Sequence, residues 1–458
     1  MAVDTRNFDI SRLDSVKIGE SDFDASWLIS TLDEKDQEFW KIHDGNVVRS
    51  VITTEIGDGK GFVSKVYKCS IEFESDRPDY EVIMKVPGAH ALQGAVDSAG
   101  TEDAFCVSVT NVHNMECRFY TDYAAKADFP TAKVYSAGEL VPGSKPGYLL
   151  MESMIGKGES CCVFEGLSKA QLFKIAEHLA HFQHAFLTME DKSWLQHFDP
   201  LKSFTDEDSI TFVRPMFEKL VKMRPDVFEE KMKPLRAATE KKGFFGYTMF
   251  DHIKDFGVPP VLSHGDLWSN NIMWKLDENG FVVNEIAAVI DFQLAHVGSI
   301  TNDLARVLRP NNIMWKLDEN GFIVNEIAAV IDFQLAHVGS ITNDLARVLV
   351  CCSDAEIRRQ YEEAVLKRYH DTLSRLFAKD GKEVPFDFEK VKEVYKISQL
   401  CQTVDILWMI PLFCDGEKKP GSDALWEART DKIVLRASLA LDEALKTLET
   451  LPEQYRSD

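Results

Sequence analysis

Apolar and polar residues alternate along an early part of the chain, between about residues 47 and 87. Alternation with a period of two predicts half-buried β-strands. Within this stretch the run GDGKG at 57–61 predicts a turn between two strands, because a helix does not tolerate it. Apolar residues at 102–126 recur at helical spacing, and GYLLMES at 147–153 predicts a short apolar strand. The N-terminal part is therefore expected to be β-rich, with one main helix.

From residue 168 onward the apolar spacing is mainly helical. Ser168 is a predicted N-cap, and the helix that follows carries one apolar stripe. The residues of this stripe are Leu172, Ile175, Ala176, Leu179, Phe182 and Phe186. Further helices are predicted at 205–245 and towards the C-terminus, with a strand-rich insertion at 260–333. This order predicts an α+β fold with two lobes, a small β-rich N-lobe at 1–152 and a large, mainly helical C-lobe at 153–458.

One segment of the chain occurs twice. Residues 311–349 repeat residues 270–308 letter for letter, at an offset of 41 residues, except that Val282 becomes Ile323. Removing one repeat leaves 458 − 41 = 417 residues with every motif still in order. Repeat architectures need three or more units and tolerate divergence. The sequence therefore indicates one surplus copy, from a recent tandem duplication or an error in gene assembly.

Composition and charge narrow the class of protein. The chain has 45% hydrophobic and 28% charged residues, which is ordinary for a globular protein. Its net charge of −22 argues against a nucleic-acid partner, since phosphates would be repelled. The N-terminus carries charges where a signal peptide needs an apolar core, and no long uninterrupted apolar run predicts a membrane span. We expect a cytoplasmic protein, and the scattered cysteines indicate neither a disulfide framework nor zinc.

A glycine-rich turn lies between two of the predicted strands. Gly59, Gly61 and Val66 fit the pattern G-x-G-x-x-G-x-V, with Ser64 at the position of the third glycine. Such a loop lets backbone N–H groups approach phosphate, because no Cβ intervenes. A plain hairpin turn explains the same residues, so this loop alone does not indicate a nucleotide.

A lysine lies in the apolar strand EVIMKVP that follows. An unpaired ammonium group is costly to bury, so Lys85 must reach solvent or find an anion. Glu116, in the helical stretch HNMECRFY, is the expected partner. Taken singly, a surface lysine on an edge strand and a glutamate on a solvated helix face are the alternative interpretations.

The stretch VLSHGDLWSNN carries the most specific motif. His264, Asp266 and Asn271 fit the pattern H-x-D-x-x-x-x-N. This spacing lets the aspartate face an incoming hydroxyl while the asparagine reaches a metal ion on the phosphates. Asp291 ends the apolar strand in AAVIDFQ, where a carboxylate can bridge magnesium to the β- and γ-phosphates. A surface loop with a helix cap is the alternative, but the order and spacing of all these features favour a catalytic site.

These phrases together resemble the choline kinase and aminoglycoside phosphotransferase group of the protein-kinase-like fold. Within that group the chain most resembles the CHK kinase-like (ecdysteroid-kinase-like) branch. The resemblance rests on GFVSKVYKCSIEF, HNMECRFY, HGDLWSNNIMW and VIDFQ, and it covers the chain from about residue 40, with DFQ in place of the DFG of protein kinases. It implies an enzyme that uses ATP and Mg²⁺ to phosphorylate a hydroxyl group of a small molecule.

The resemblance implies a role for each matching residue. Asp266 would orient or deprotonate the acceptor hydroxyl, and His264 would brace the loop. Asn271 and Asp291 would hold magnesium, and Asp303 in NDLARVL would steady the loop from below. The implied nucleotide-binding residues are Gly59, Gly61, Ser64, Lys85, Glu116 and the hinge residues Met151, Glu152 and Ser153.

The acceptor is left open by the sequence. There is no activation-loop phosphosite before an A-P-E motif, which disfavours a protein substrate. Trp408, Met409 and Phe413, with Trp268, are candidates to line a pocket for an apolar alcohol such as a sterol, although core packing explains the same spacing. Choline-type acceptors would need an aromatic cage with a carboxylate, for which Trp268 and Asp405 are candidates. A choline, ethanolamine or amino-sugar kinase and a catalytically impaired pseudokinase are therefore the alternatives, and the oligomeric state is not indicated.

Only one copy of the repeat can complete the hairpin beside the catalytic loop. We expect the first copy there, because Asp291 follows Asp266 through a short hairpin, whereas Asp332 would require a long excursion between them. Loop-closure entropy discriminates only weakly between the two. The opposing consideration is that LARVL of the second copy continues directly into VCCSDAEIRRQ. The surplus copy, 311–349, is expected to protrude as a poorly packed hairpin and helix or to add to a sheet edge.

Overall fold

The computed structural model describes most of the chain. The described residues are 13–56, 64–87, 102–198, 206–276, 282–288, 337–414 and 423–456. They form two compact units, of which the first comprises Met1–Thr121 and Ala132–Met154. The second comprises Asp122–Thr131 and Ile155–Asp458. The segment Asp122–Thr131 therefore belongs to the second unit, although it precedes the predicted boundary after residue 152.

The first unit is built on one antiparallel sheet. Its strands are β1 (Val48–Glu55), β2 (Ser64–Phe73), β3 (Tyr80–Pro87), β4 (Val134–Gly138) and β5 (Tyr148–Glu152). The strand order is β1-β2-β3-β5-β4, so β3 lies in the centre. Its helices are α1 (Ala25–Lys35), α2 (Gln37–His43) and α3 (Glu102–Arg118), and α3 continues into a π-helical turn, Phe119–Tyr123.

Apolar side chains of α1 and α2 share a core with the central strands of this sheet. Successive strand residues point to opposite faces, and the alternate residues of β2 and β3 join the helices on one of them. The shared core includes Leu28, Ile29, Leu32, Phe39, Tyr67, Cys69, Ile71, Val82 and Met84. Helix α1 begins where it does because the carboxylate of Asp24 accepts the N–H of Trp27 at 2.9 Å.

The second unit is mainly helical. Its longer helices are α4 (Lys169–Thr188), α6 (Asp206–Met223), α11 (Asn343–Cys352), α12 (Ala355–Lys379), α13 (Phe388–Cys414) and α14 (Asp423–Leu448). The shorter ones are α5 (Trp194–His197), α7 (Pro225–Phe228), α8 (Lys233–Thr239), α9 (Phe244–Gly246) and α10 (His252–Asp255). The predicted N-cap of α4 is confirmed, because Ser168 and Gln171 form a reciprocal capping box.

Two small sheets of the second unit contain strands from different copies of the repeat. The strands are β6 (Gly158–Ser160), β7 (Val261–Ser263), β8 (Met273–Leu276), β9 (Val282–Ala288) and β10 (His337–Gly339). β8 and β9 belong to the first copy and pair with β6 in the order β6-β8-β9. β10 belongs to the second copy and pairs antiparallel with β7, with Val338 opposite Leu262. The expectation that the first copy supplies the hairpin therefore holds for β8 and β9 only.

Helix α11 of the second copy is part of the core, and every one of its residues is buried. The expectation that this copy would protrude is thus wrong for its helix. The physical reason lies at its C-terminal end, where the carbonyl of Cys352 accepts the N–H of Leu167 at 2.7 Å and that of Cys351 accepts from Arg436 at 2.7 Å. The chain then enters α12 after only Ser353 and Asp354.

Helix α13 crosses the interior of the second unit. Among the described residues it is the one helix long and apolar enough to cross a membrane. Its most apolar window is 89% buried inside the protein, as in the core helix of a globular domain. It packs against both α11 and α14.

Candidate active site

The central strand of the first unit presents a buried ion pair. Lys85 on β3 is opposite Val66 of β2 and Leu149 of β5, so it does not lie on an edge strand. Its Nζ donates to Oε2 of Glu116 on α3 at 2.9 Å. Lys85 is 4% exposed and Glu116 is fully buried, which excludes the surface interpretation for both residues. The predicted pair is therefore present, and it places a fixed ammonium group inside the first unit.

The other predicted nucleotide contacts are only partly described. Gly59 and Gly61 lie outside the described residues. Ser64 begins β2, and its hydroxyl is buried with no hydrogen-bond partner among the residues that the structure describes. At the predicted hinge the N–H of Glu152 donates to the carbonyl of Lys133 at 2.8 Å, so it serves the sheet rather than an adenine ring.

The predicted catalytic loop follows β7 and is closed by its own side chains. Asn271 Nδ2 donates to the carbonyl oxygen of Asp266 at 2.9 Å and to its Oδ2 at 3.2 Å. The N–H of Asp266 donates to Nδ1 of His264 at 3.3 Å, which is the bracing expected of this histidine. Gly265 between them has φ +88°, a conformation that favours glycine. His264, Asp266 and Asn271 are all buried, so these side chains of the loop lie in the interior of the second unit.

A carboxylate on α11 holds the beginning of this loop. Asp344 accepts the backbone N–H of His264 at 2.8 Å and that of Gly265 at 3.0 Å. The sequence assigned this support to Asp303, which lies outside the described residues; the contact is made by the same residue of the second copy, 41 positions later. The assignment to Asp303 therefore stays a prediction, whereas Asp344 makes the supporting contact among the described residues. Burial raises the pKa of Asp344 to about 6, although both N–H groups oppose this rise.

A second residue of α11, which the sequence reasoning missed, contacts the carboxylate of Asp266, the predicted catalytic residue. Nη2 of Arg347 donates to Oδ1 of Asp266, and Nη1 donates to Oδ2 of Asp405 on α13 at 3.0 Å. Burial raises the pKa of the Asp266 carboxyl, and the Arg347 guanidinium opposes this rise. One signal in the sequence could have indicated this residue. Asp344 and Arg347 are charged, lie three positions apart in the helical run NDLARVL, and therefore lie on one helix face.

The predicted acceptor residues are buried. Met409 is 1% exposed and Phe413 is 3% exposed, which favours core packing over a pocket for these two. Trp268, within the predicted catalytic loop, stacks on Phe413 with ring centroids 5.8 Å apart. Trp408 donates its indole N–H to Oδ1 of Asp405 at 3.0 Å. Both oxygens of Asp405 are thus engaged, by Trp408 and by the arginine of α11.

A protein-family model matches most of the chain, including the predicted catalytic loop. The model of the family DUF1679, described as "Uncharacterized oxidoreductase dhs-27", matches residues 46–311 and 308–434. The chain belongs to the DUF1679 family. The two matched segments overlap at the seam between the two copies of the repeat.

Two relatives from Caenorhabditis elegans are similar to this DUF1679 protein. The "Uncharacterized oxidoreductase dhs-27" is 23% identical over 434 residues, which cover 90% of this chain and 46% of that protein. An uncharacterized kinase-like protein is 24% identical over 264 residues, which cover 55% of this chain and 65% of that protein. This chain therefore spans less than two thirds of the length of either relative.

Among solved structures, the chain is similar to a mutant aminoglycoside 2'-phosphotransferase-IIIa in complex with GDP. The identity is 12%, the TM-score is 0.42, and the match covers 90% of this chain and 96% of that one. The elements described above have the predicted α+β architecture, with a β-rich unit that contains the Lys85–Glu116 pair and a mainly helical unit that contains the predicted catalytic loop.

The side chains of this DUF1679 protein fit a magnesium ion in part. Both hydrogen bonds that the Asn271 amide donates within the loop use its Nδ2, which leaves Oδ1 as the oxygen for a cation. The other predicted ligands, Asp291 and the less favoured Asp332, lie outside the described residues. In the described ranges no group of three or more His, Cys, Asp or Glu side chains could hold a metal ion.

Proposed function

We propose that this DUF1679 protein is an ATP- and Mg²⁺-dependent phosphotransferase that transfers the γ-phosphate to a hydroxyl group of a small molecule. The observation that carries the proposal is the buried loop in which Asp266 is fixed by Asn271 and Arg347. Phosphoryl transfer requires positioning and charge stabilisation more than covalent chemistry by the protein. A carboxylate held on both oxygens in a buried loop suits the orienting of an acceptor hydroxyl.

The pair in the first unit supports a nucleotide as the phosphate donor. A buried ammonium group is stable only beside an anion, and Lys85 already has one carboxylate, that of Glu116. In the proposed function Lys85 binds phosphate oxygens while Glu116 keeps its side chain extended. When bound, magnesium would neutralise charge on the β- and γ-phosphates, and Asn271 with Asp291 would hold it.

The contacts of Asp405 bear on the class of acceptor. A quaternary ammonium or amine substrate would be attracted by the charge of a carboxylate, and the charge of Asp405 is already paired with the Arg347 guanidinium. We therefore propose an uncharged alcohol, and the sterol-like type is the first to test. Membership of the CHK kinase-like branch is part of the same proposal. The oxidoreductase name is that of a relative of which this chain covers only 46%, so an oxidoreductase activity is not part of the proposal.

Consumption of Mg·ATP by the purified full chain, followed with a luminescent assay, tests the proposal. Sterols, amino alcohols and glycosides are supplied in turn as acceptors. We expect Asp266→Asn to lower turnover by about 10²- to 10⁴-fold, the usual effect of a positioned acid–base group. Stabilisation by nucleotide should survive in that variant, at about 2.7 kcal/mol when ATP is 100-fold above its Kd.

The outcomes separate the alternatives. Turnover by Asp266→Asn at the parental rate would show that the proposed site is wrong. Stabilisation of the parent by ATP without turnover of any acceptor would favour the pseudokinase. Turnover with amino alcohols or amino sugars alone would show that the acceptor is cationic and not an uncharged alcohol. If ATP neither stabilised the parent nor was consumed by it, nucleotide binding itself would be contradicted.

A further inference from the structure

We propose that Arg347 is a positioning residue for phosphoryl transfer, one that fixes the catalytic carboxylate and ties it to α13. This inference rests on the proposed function. The guanidinium lies between two carboxylates: Nη2 donates to Asp266 and Nη1 donates to Asp405 at 3.0 Å. Nη1 also donates to Oε1 of Gln402 at 3.3 Å, so two helices and the loop meet at one side chain.

The geometry restrains how the carboxylate of Asp266 can turn. Arg347 holds Oδ1, and Asn271 holds Oδ2 at 3.2 Å, so rotation about the last side-chain bond breaks at least one hydrogen bond. Each carboxylate oxygen has about two lone-pair sites, so one remains on each for an acceptor hydroxyl. The planar, preorganised fork of arginine is suited to such fixation, whereas an ammonium group would be a point charge.

Burial makes this contact more than a surface ion pair. The side chains of Arg347 and Asp266 are 5% and 1% exposed, so neither charge is stabilised by water. Asp405 at the other end is 27% exposed and is itself held by Trp408. Arg347 thereby links the partly exposed Asp405 to the carboxylate of Asp266. A movement of α13 at Asp405 would therefore shift the guanidinium that holds Asp266.

The repeat supplies a matched control within the same chain. Arg306 lies in the same run, NDLARVL, of the first copy, 41 positions before Arg347. Since Arg347 makes the contacts with Asp266 and Asp405, the same substitution at Arg306 should leave the catalytic loop unchanged. A second control is Arg358, a fully buried arginine of α12 whose ion-pair partners, Glu443 and Glu362, lie outside the loop.

The test compares Arg347→Met and Arg347→Lys with Arg306→Met and Arg358→Met in the full chain. For each variant, kcat, KM for ATP and the thermal midpoint are measured, with the acceptor that gives turnover in the parent. We expect Arg347→Met to lower kcat by about 10- to 100-fold, the scale of a misplaced reacting group, with KM for ATP changed less than about twofold. Arg347→Lys should recover part of the loss, Arg306→Met should match the parent, and Arg358→Met should lower the midpoint without lowering kcat.

The results that would overturn the inference are distinct from those against the proposed function. Parental kcat in folded Arg347→Met, or a loss of kcat no larger than that of Arg358→Met, would overturn the inference alone. The inference also fails if neither Arg347 variant folds while Arg358→Met does, since Arg347 would then act through stability. An effect of Arg306→Met equal to that of Arg347→Met would reject the assignment to the second copy. Absence of turnover in the parent would overturn both proposals.

Discussion

The buried carboxylate of Asp344 allows the choice between the two copies to be tested by pH. Its pKa in the folded protein is raised to about 6, against an ordinary value of 3.8, because burial disfavours the charged form. The folded state then binds the proton more tightly than the unfolded state does. Ionisation of this group therefore lowers the free energy of unfolding as the pH rises from 3.8 towards 6, and nothing further is lost above that.

The magnitude follows from the two pKa values. Linkage gives a loss of about 1.6 kcal/mol at pH 5 and about 3 kcal/mol at pH 8, hence a difference of about 1.4 kcal/mol between these conditions. Asp344→Asn cannot ionise, so this part of the pH dependence should disappear. The substitution also leaves one of the two N–H groups, of His264 or Gly265, without its acceptor, at a cost of about 1–3 kcal/mol at every pH. Since the cost of the lost hydrogen bond is the same at both pH values, the variant should gain about 1.4 kcal/mol of stability relative to the parent between pH 5 and pH 8.

Urea unfolding of the parent, Asp344→Asn and Asp303→Asn at pH 5 and pH 8 measures these differences. The matched variant Asp303→Asn changes the identical residue of the other copy and should follow the parent at both pH values. A stability difference between parent and Asp344→Asn that does not change with pH would refute the argument from burial. The predicted trend in Asp303→Asn instead would show that the first copy holds the catalytic loop.

Deletion of residues 309–349 gives a chain of 458 − 41 = 417 residues in which one copy supplies both hairpin and helix. Scanning fluorimetry should show a thermal midpoint at or above that of the parent, and a clearly lower midpoint would mean that the second copy adds stabilising contacts. Lys85→Met leaves Glu116 buried and unpaired, and we expect a loss of about 3–5 kcal/mol in urea unfolding. Adding Glu116→Gln should recover part of it, and simple additivity would contradict the pairing. Burial lowers the pKa of His252 to about 4, so this imidazole should contribute a loss of about 1.3 kcal/mol to the free energy of unfolding from pH 7.5 to 5.5, and urea unfolding of His252→Gln should lack this contribution.

The sequence predicted contacts that depend on local pattern and on motif spacing. The capping box at Ser168 is set by residues three apart, and its hydrogen bonds form within one helical turn. The pairing of Lys85 with Glu116 could be predicted because a lysine in a buried strand requires an anion, and Glu116 lay on the next helix. In both cases the sequence contains the physical reason for the contact.

Arg347 and the choice of copy could not be predicted in that way. The two copies are identical over NDLARVL, so helix propensity and apolar pattern are the same for Arg306 and Arg347. Only tertiary contacts distinguish them, such as the hydrogen bond from Leu167 to Cys352, just beyond the second copy. The bond from Arg347 to Asp405 joins residues 58 positions apart, a separation at which no sequence pattern specifies a partner.

The described elements explain why each copy supplies one part of the fold. The excess of 41 residues must enter the chain somewhere. Entry before β8 would separate that strand from the catalytic loop, and entry after α11 would separate that helix from α12, two residues away. Entry between β9 and β10 avoids both, and it leaves 336 − 288 = 48 residues there, where a single copy would leave 48 − 41 = 7. Breaking either of the other junctions would expose a buried element, since Trp274 of β8 and every residue of α11 are buried. The arrangement that splits the repeat is therefore the one that keeps Asp266 next to its hairpin and Arg347 next to Asp266.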